Sequence, residues 1–196
     1  SLPMAVVSPT CVEDIQALLK WAHHTRVPLV PFGGGSGVCG AVQLERESYV
    51  AVDLQQMKAI KEIQTESMIV TAEAGIFGGE LENALNQKGL TLGHFPTSYE
   101  ISTLGGWIST RASGQFSTAY GSIEDMVIAL KAVLPNGDLF ETKCVPRSAT
   151  GPALRELFIG AEGTLGIITE ATCQVHKFPT VRDYVAYGFE DLKQAL

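Results

Sequence analysis

An apolar run, Pro28 to Phe32, breaks off into Gly33-Gly34-Gly35-Ser36-Gly37-Val38-Cys39-Gly40, a loop with five glycines among eight residues. Glycine tolerates positive φ and lets a backbone approach a neighbour or ligand closely, so such a loop can aim several N–H groups at one anion. The chain has a formal net charge of -7, and no basic cluster lies near the loop. An anion held here would meet amide dipoles rather than side-chain charge. The other reading of these residues is a flexible Gly/Ser linker or an empty tight turn. Apolar, strand-like runs close to the loop on both sides favour the cradle.

Gly35-Ser36-Gly37-Val38-Cys39-Gly40 also fits G-x-G-x-x-G, with Asp53 near where a Rossmann acid would stand. That fingerprint needs a full helix opening at its third glycine, inside a strand–helix–strand unit. Only Ala41–Ser48 separates this loop from the next strand, room for two turns at most, and the helix precedes the loop. The context argues against a Rossmann unit.

At 196 residues the chain makes one domain or two small lobes, long enough to bury a core. Twenty glycines exceed the usual share, so many special backbone sites are needed. The acidic balance argues against a nucleic-acid partner, since no Lys/Arg stripe is available to neutralise phosphates. No apolar run reaches transmembrane length and no signal peptide is visible. The ends, Ser1-Leu2-Pro3 and a helix-like stretch, suggest a piece of a longer protein. Cys11, Cys39, Cys144 and Cys173 are far apart and are expected as free buried thiols in a reducing compartment. His23 and His24, about 100° apart on a helix, cannot share one metal. No metal site is expected.

In chain order, Met4–Val7 reads as a strand, and Thr10-Cys11-Val12-Glu13 has capping-box form, with Glu13 reaching back to the Thr10 amide. The helix that follows places Val12, Ile15, Leu18, Leu19 and Ala22 on one face and should stop before Pro28. Val27–Phe32 is expected as a buried strand and Tyr49–Leu54 as a third. Met57 to Ala72 suggests paired strands. A helix over Gly79–Lys88 buries Leu81, Ala84 and Leu85, with Gly89 at C′. Thr103–Gly114 reads as a glycine-opened helix capped by Gly114, its amide end able to face an anion. Asn136-Gly137 marks a hairpin between Met126–Leu134 and Leu139–Glu141. Pro152 opens a helix with Leu154, Leu157 and Phe158 facing inward; Ala171–Lys177 extends a last strand, and Phe189–Leu196 starts a last helix. The fold class is α+β: a small N-terminal α/β lobe, then a larger lobe with a mainly antiparallel sheet and flanking helices.

Four glycine-rich or hydroxyl-rich turns, Pro31–Gly37, Pro96–Ser102, Thr110–Ser113 and Glu162–Ile168, stand at strand ends or helix starts. In this order and spacing they resemble the FAD-binding (PCMH-type) domain of the vanillyl-alcohol oxidase/p-cresol methylhydroxylase superfamily. Thr103–Gly114 and Glu162–Ala171 look most like alkyldihydroxyacetonephosphate synthase and bacterial FAD-linked oxidases. The resemblance implies that Gly33, Gly34, Gly35, Ser36 and Gly37 cradle a pyrophosphate after Pro31 and Phe32. It implies that Pro96, Thr97, Ser98, Tyr99, Glu100, Ile101 and Ser102 line the cleft between lobes, with Thr103, Gly105, Gly106, Thr110, Arg111, Ala112 and Ser113. Glu162, Gly163, Thr164, Leu165, Gly166, Ile167 and Ile168 would lie against the adenosine half, main-chain groups reading the adenine. Residues 1–55 and 56–188 would be the two lobes and 189–196 the start of a substrate domain that supplies most catalytic side chains. Family histidines that hold flavin covalently often sit in the phosphate loop; Ser36 stands here, so FAD is expected without a covalent bond.

The implied parent is an FAD-dependent oxidoreductase acting on a 2-hydroxy acid or similar small substrate. The alternatives are alkyldihydroxyacetonephosphate synthase, whose ether-lipid reaction has no net redox change, and a non-catalytic nucleotide-binding module. Arg111 is either a surface helix residue or a group near the flavin; His94 is either proton-handling or a hydrogen-bonded structural histidine. Both are catalytic candidates. Glu162 is a cap or a ligand contact, and Tyr120 and Trp107 are expected in the core. The expected partners are FAD, a small-molecule substrate and a second copy of the full-length protein. The expected compartment is the cytoplasm, or the peroxisome for a eukaryotic ether-lipid enzyme.

Overall fold

The computed structural model describes residues 2–44 and 48–196. β1 (Ala5–Val7), α1 (Val12–Thr25), β2 (Leu29–Phe32) and β3 (Val50–Asp53) form the first unit. Its strands run parallel in the order β1-β3-β2. Central β3 buries Val50 and Val52 and half-buries Ala51 and Asp53, the alternation of a pleated strand with one covered face. Edge strand β2 is half-buried throughout rather than buried as expected. An edge also suits Pro31, which has no N–H to give a second neighbour.

The start of α1 corrects the capping box by one residue. Cys11 is the N-cap, so the third helical position is Asp14, not Glu13. Asp14 Oδ2 accepts from the Thr10 amide at 2.9 Å and the Thr10 hydroxyl at 3.0 Å. α1 buries Ile15, Leu19 and Ala22 and ends at Arg26, which takes φ 61° and donates to Ala22 O at 2.8 Å, before Pro28.

The second unit holds β4 (Ile60–Gln64), β5 (Ile69–Glu73), α2 (Gly78–Asn86), β6 (Leu90–Thr91), α3 (Leu104–Thr110), α4 (Ser117–Tyr120), α5 (Ile123–Met126), β7 (Val127–Val133), β8 (Leu139–Glu141), β9 (Ile167–Gln174) and β10 (His176–Lys177); α6 (Leu192–Ala195) follows in an exposed stretch. Its five-stranded sheet is antiparallel throughout, in the order β4-β5-β9-β7-β8. The expected strand over Ala171–Lys177 divides: β9 stays in this sheet, while β10 pairs with β6. In the β7–β8 turn Gly137 takes φ 86° and donates to Leu134 O at 2.8 Å.

Leu81 and Leu85 of α2 and Leu104, Trp107 and Ile108 of α3 pack with Val70, Ala72, Leu130, Ala132 and Ile168 of the sheet. Ala84 is only half-buried. A second cluster brings Ile15 and Leu19 of α1 against Val52, Leu54, Met57, Val133 and Ile167, so both sheets share one apolar seam. That seam fixes the small unit on the large one.

Four more expectations are corrected. After Pro152 only one 3-10 turn forms, Leu154–Leu157. A three-residue period puts residues 154 and 157 on one face; Phe158, stacked 4.7 Å from Phe140, turns that face outward. Leu154 and Leu157 are therefore exposed and Phe158 buried. α3 ends at Arg111, with φ 52°, not at Gly114. The last helix starts at Leu192 rather than Phe189, with Asp191 as its cap. Of the cysteines only Cys173 is buried, its thiol pushed up to about 12 by burial; Cys39 and Cys144 are exposed and Cys11 half-buried.

Candidate functional site

β2 delivers the chain into the glycine loop, and three other segments close around it. A Cβ on Gly33 would stand 2.3 Å from Thr103 Oγ1, and one on Gly34 1.9 Å from the Ile101 carbonyl oxygen. No side chain fits at either position, so the loop lies flat on 101–103. Gln55 Nε2 holds Gly33 O at 2.8 Å, and Asp53 Oδ1 accepts from the Gln55 amide at 3.0 Å. Asp53 thus caps a 3-10 turn over Leu54–Gln56, and Gly40 opens no helix. The Rossmann spacing is incidental; of the intervening Ala41–Ser48, residues 45–47 lie outside the described residues.

On the other side, a Cβ on Gly163 would stand 2.8 Å from Pro31 Cγ. The Gly160 amide donates to Ile108 O at 2.9 Å and the Glu162 amide to Ser109 O at 3.0 Å. Turn 160–163 is therefore hooked onto the last carbonyls of α3, groups that a helix leaves without internal partners. Glu162 takes φ 48° to make this turn and its side chain is exposed. The motifs around Pro31–Gly34, Ile101–Thr103, α3 and Gly163 are contiguous. Thr164 and Leu165 are exposed, whereas Gly166, Ile167 and Ile168 are buried, both isoleucines with core side chains.

Two sets of amides contrast sharply. Among the described residues nothing accepts from the amides of Gly34, Gly35, Ser36 and Gly37. Those at the start of α3 are engaged: Leu104 donates to Ile76 O, Gly105 to Ala74 O, Gly106 to Thr103 Oγ1 and Trp107 to Thr103 O, at 3.0, 2.7, 3.3 and 2.9 Å. The expected anion-facing end of that helix is thus closed. Gly105 serves packing, since a Cβ there would lie 2.8 Å from Ala74 Cβ. The unengaged amides lie instead in the glycine loop.

Residues 96–102 make two successive turns, Tyr99 N donating to Pro96 O and Ile101 N to Ser98 O, both at 2.9 Å. Trp107 Nε1 donates to Ser102 Oγ at 2.6 Å, and that hydroxyl to Ser98 O at 2.7 Å. Thr97 and Glu100 are exposed. Trp107 is in the core, as expected, while Tyr120 is half-buried against it.

His94 is 2% exposed, and neither ring nitrogen has a hydrogen-bond partner among the described residues. Its ring meets Trp107 edge-on at 4.7 Å. Burial lowers its pKa to about 4, so it is neutral near pH 7. The expected hydrogen-bonded structural histidine is not what stands here. The segment before it is locked: the Thr91 hydroxyl donates to Glu82 Oε1, the Leu92 amide to Glu82 Oε2 at 3.1 Å, and the Gly93 amide to Thr91 Oγ1 at 3.1 Å. Burial pushes the Glu82 carboxyl up.

Arg111 is a half-exposed residue paired with Glu124 Oε1 at 3.4 Å, its stem lying where a Cβ on Gly160 would be. Thr110 Oγ1 donates to Gly106 O at 2.9 Å, and Ser113 Oγ accepts from Ser122 Oγ at 3.0 Å. Ala112 is half-buried. Beyond Pro31 a cleft of about 220 Å³ opens between α1, β2 and residues 163–167.

Sequence reasoning missed Gln55, Glu82 and the hydrogen bond of Trp107. No pattern marks the first two. Trp107, one turn into a helix, carried a usable signal, because helical side chains lean toward the N-terminus and so toward residue 102. The chain fits a dinucleotide in two respects: unengaged amides sit on a loop with no room for side chains at Gly33 and Gly34, and a buried imidazole has no hydrogen-bond partner among the described residues.

Comparison with known proteins agrees. The family model described as FAD binding domain matches residues 3–143. Alkyldihydroxyacetonephosphate synthase of Dictyostelium discoideum is 40% identical over 95% of this chain and 30% of its own length. An uncharacterized FAD-linked oxidoreductase of Escherichia coli is 41% identical over 98% of this chain and 40% of its own. The mitochondrial D-lactate dehydrogenase (cytochrome) of Arabidopsis thaliana is 38% identical over the whole chain and 34% of its own length. A solved alkyldihydroxyacetonephosphate synthase superposes with a TM-score of 0.83 at 38% identity, over 90% of this chain and 32% of that one. The chain thus spans about a third of the length of such relatives. Glycine loop, architecture and sequence agree that this chain belongs to the FAD binding domain family.

Proposed function

We propose that Gly34–Gly37 hold the pyrophosphate of FAD through backbone amides, and that the whole protein oxidises a 2-hydroxy acid or similar small substrate. The run of unengaged amides in an acidic chain carries the reading, since a dianion there meets N–H dipoles without a basic side chain. Bound FAD supplies two-electron redox chemistry. This chain's residues bind and orient it. Pro31 and the 162–168 turn face the adenosine half, and 96–103 with 110–113 line the flavin side. His94, neutral and unpartnered, offers a hydrogen-bond donor and an acceptor beside Trp107, and the surrounding apolar walls exclude water. Arg111 is the second candidate for the reaction itself. Residues 1–55 and 56–188 act as the two lobes, and 189–196 lead into a substrate domain. A second reading, the ether-lipid reaction of alkyldihydroxyacetonephosphate synthase, is favoured by 40% identity to that enzyme.

The test uses full-length protein. Assay with 2-hydroxy acids and an acceptor dye is set against assay with acyl-dihydroxyacetone phosphate and a long-chain alcohol. Turnover of the second pair alone overturns the hydroxy-acid reading, and a bound flavin that never bleaches with any reductant would make the domain a mere nucleotide module. Gly35 takes φ 63°, and a Cβ there would lie 2.6 Å from the Phe32 ring. Gly35→Val should therefore purify folded but with little FAD; full retention would overturn the cradle.

A further inference from the structure

Gln55 stands where the first unit hands over to the second. Asp53, the last residue of β3, pairs with Phe32 of β2, and its Oδ1 accepts from the Gln55 amide at 3.0 Å. The 3-10 turn over Leu54–Gln56 is anchored on both sides of Gln55. Leu54 and Met57 are buried in the apolar seam, and Met57 O accepts from the Gly75 amide at 2.9 Å. The backbone of Gln55 is thereby fixed. Its half-buried side chain turns back to the glycine loop, where Nε2 donates to Gly33 O at 2.8 Å.

That carbonyl belongs to the peptide unit between Gly33 and Gly34. A trans peptide is planar, with C=O and N–H on opposite sides, so a bond to Gly33 O fixes where the Gly34 N–H points. This unit needs fixing. With glycine at both ends, neither torsion beside it meets a Cβ, and the unit can flip at little steric cost. Flipped, it would present a carbonyl oxygen where it now presents a donor. The Gly34 amide is the first in the run, 34 to 37, that nothing among the described residues engages. We propose that Gln55 is a positioning residue of the cradle: by holding Gly33 O it aims the Gly34 N–H at the pyrophosphate of FAD. The inference rests on the amide cradle proposed above and adds to it a side chain outside the glycine-rich turns. Glutamine suits the task because its amide donates without bringing a negative charge near the anion. An ionised carboxylate at the same reach is an acceptor only and would face the carbonyl oxygen with a second acceptor.

Binding of FAD, ADP and adenosine to the full-length apoprotein tests this, with Gln55→Leu and Gln55→Glu beside wild type at about pH 8 and about pH 5. ADP and adenosine differ only in the diphosphate, so wild-type protein should bind ADP at least about tenfold more tightly. Gln55→Leu removes the donor at nearly equal volume. It should weaken FAD and ADP about tenfold at both pH values and leave adenosine within about twofold. Gln55→Glu should bind FAD about thirtyfold more weakly than wild type at the higher pH. At the lower pH it should recover to within about sixfold, because the protonated acid can again donate to Gly33 O. A side chain that merely fills space gives no such recovery. Equal losses at the two pH values in Gln55→Glu, or an equal loss of ADP and adenosine in Gln55→Leu, overturn the role of Gln55. Should one variant fail to fold, the other decides. Wild-type protein that binds adenosine as tightly as ADP overturns the cradle itself, a failure seen before any variant is compared.

Discussion

His94 shows how a single residue can tie the site to solution conditions. Its folded pKa, about 4, lies below the ordinary 6.5 because burial disfavours the imidazolium. As pH falls through that interval, the unfolded chain takes up a proton that the folded chain refuses. Stability from this residue is therefore whole above pH 6.5 and declines toward pH 4. Between pH 7 and pH 5 the loss is about 2 kcal/mol. Urea midpoints of the apoprotein at the two pH values should fall further for wild type than for His94→Phe, which keeps the edge-on contact with Trp107. Equal falls would show that the imidazole is not neutral when folded. Glu82, raised, acts in the opposite sense and His176, lowered, in the same one; both are common to the two proteins and cancel in the difference.

At the scale of elements, α3 acts as a clamp more than as an anion site. Its first amides hold Ile76 and Ala74, its last carbonyls hold turn 160–163, and its indole holds Ser102. Trp107→Phe keeps an aromatic ring but loses the donor and part of the indole volume, which should cost about 1–3 kcal/mol of stability and several-fold in FAD affinity. Ser102→Ala removes that bond and the one to Ser98 O, so it should cost somewhat more, and the double variant less than the sum of the two, because the Trp107–Ser102 bond is common to both. Additive losses would show that Trp107 and Ser102 act separately. Local periodicity made α1 and α2 readable from the residues, Asn136-Gly137 marked the β7–β8 hairpin, and glycine and hydroxyl content marked the four turns. Local signals failed where a distant partner decides. The donors of α3 look free in sequence because Ala74 and Ile76 are not neighbours there. Likewise Leu154 and Leu157 look like core until Phe158 stacks on Phe140, and Cys11, a weak cap by type, displaced the capping box because Asp14 reaches Thr10.

For the whole molecule, the apolar seam of Ile15, Leu19, Val133 and Ile167 fixes the two sheets relative to each other, so the cleft is formed by packing rather than by a hinge. The glycine loop carries Ser36 and no histidine, so we expect a flavin held there without a covalent bond. Acid precipitation of the flavin-loaded protein should leave the yellow colour in the supernatant; colour in the pellet, or a flavin-mass adduct on a peptide of this chain, would contradict it. No helix among the described residues is long and apolar enough to cross a membrane. The insertion of β9 between β5 and β7 also governs timing. Ile69 pairs with Gln174, about a hundred positions later, and a ribosome adding roughly 5–20 residues per second needs on the order of 5–20 s to supply that strand. Until then β5 presents a bare edge, and the glycine loop, already made, has no turn 160–163 beside it. On the site proposed above, cofactor loading becomes a late event in the life of the nascent chain, after Gly163 has left the ribosome.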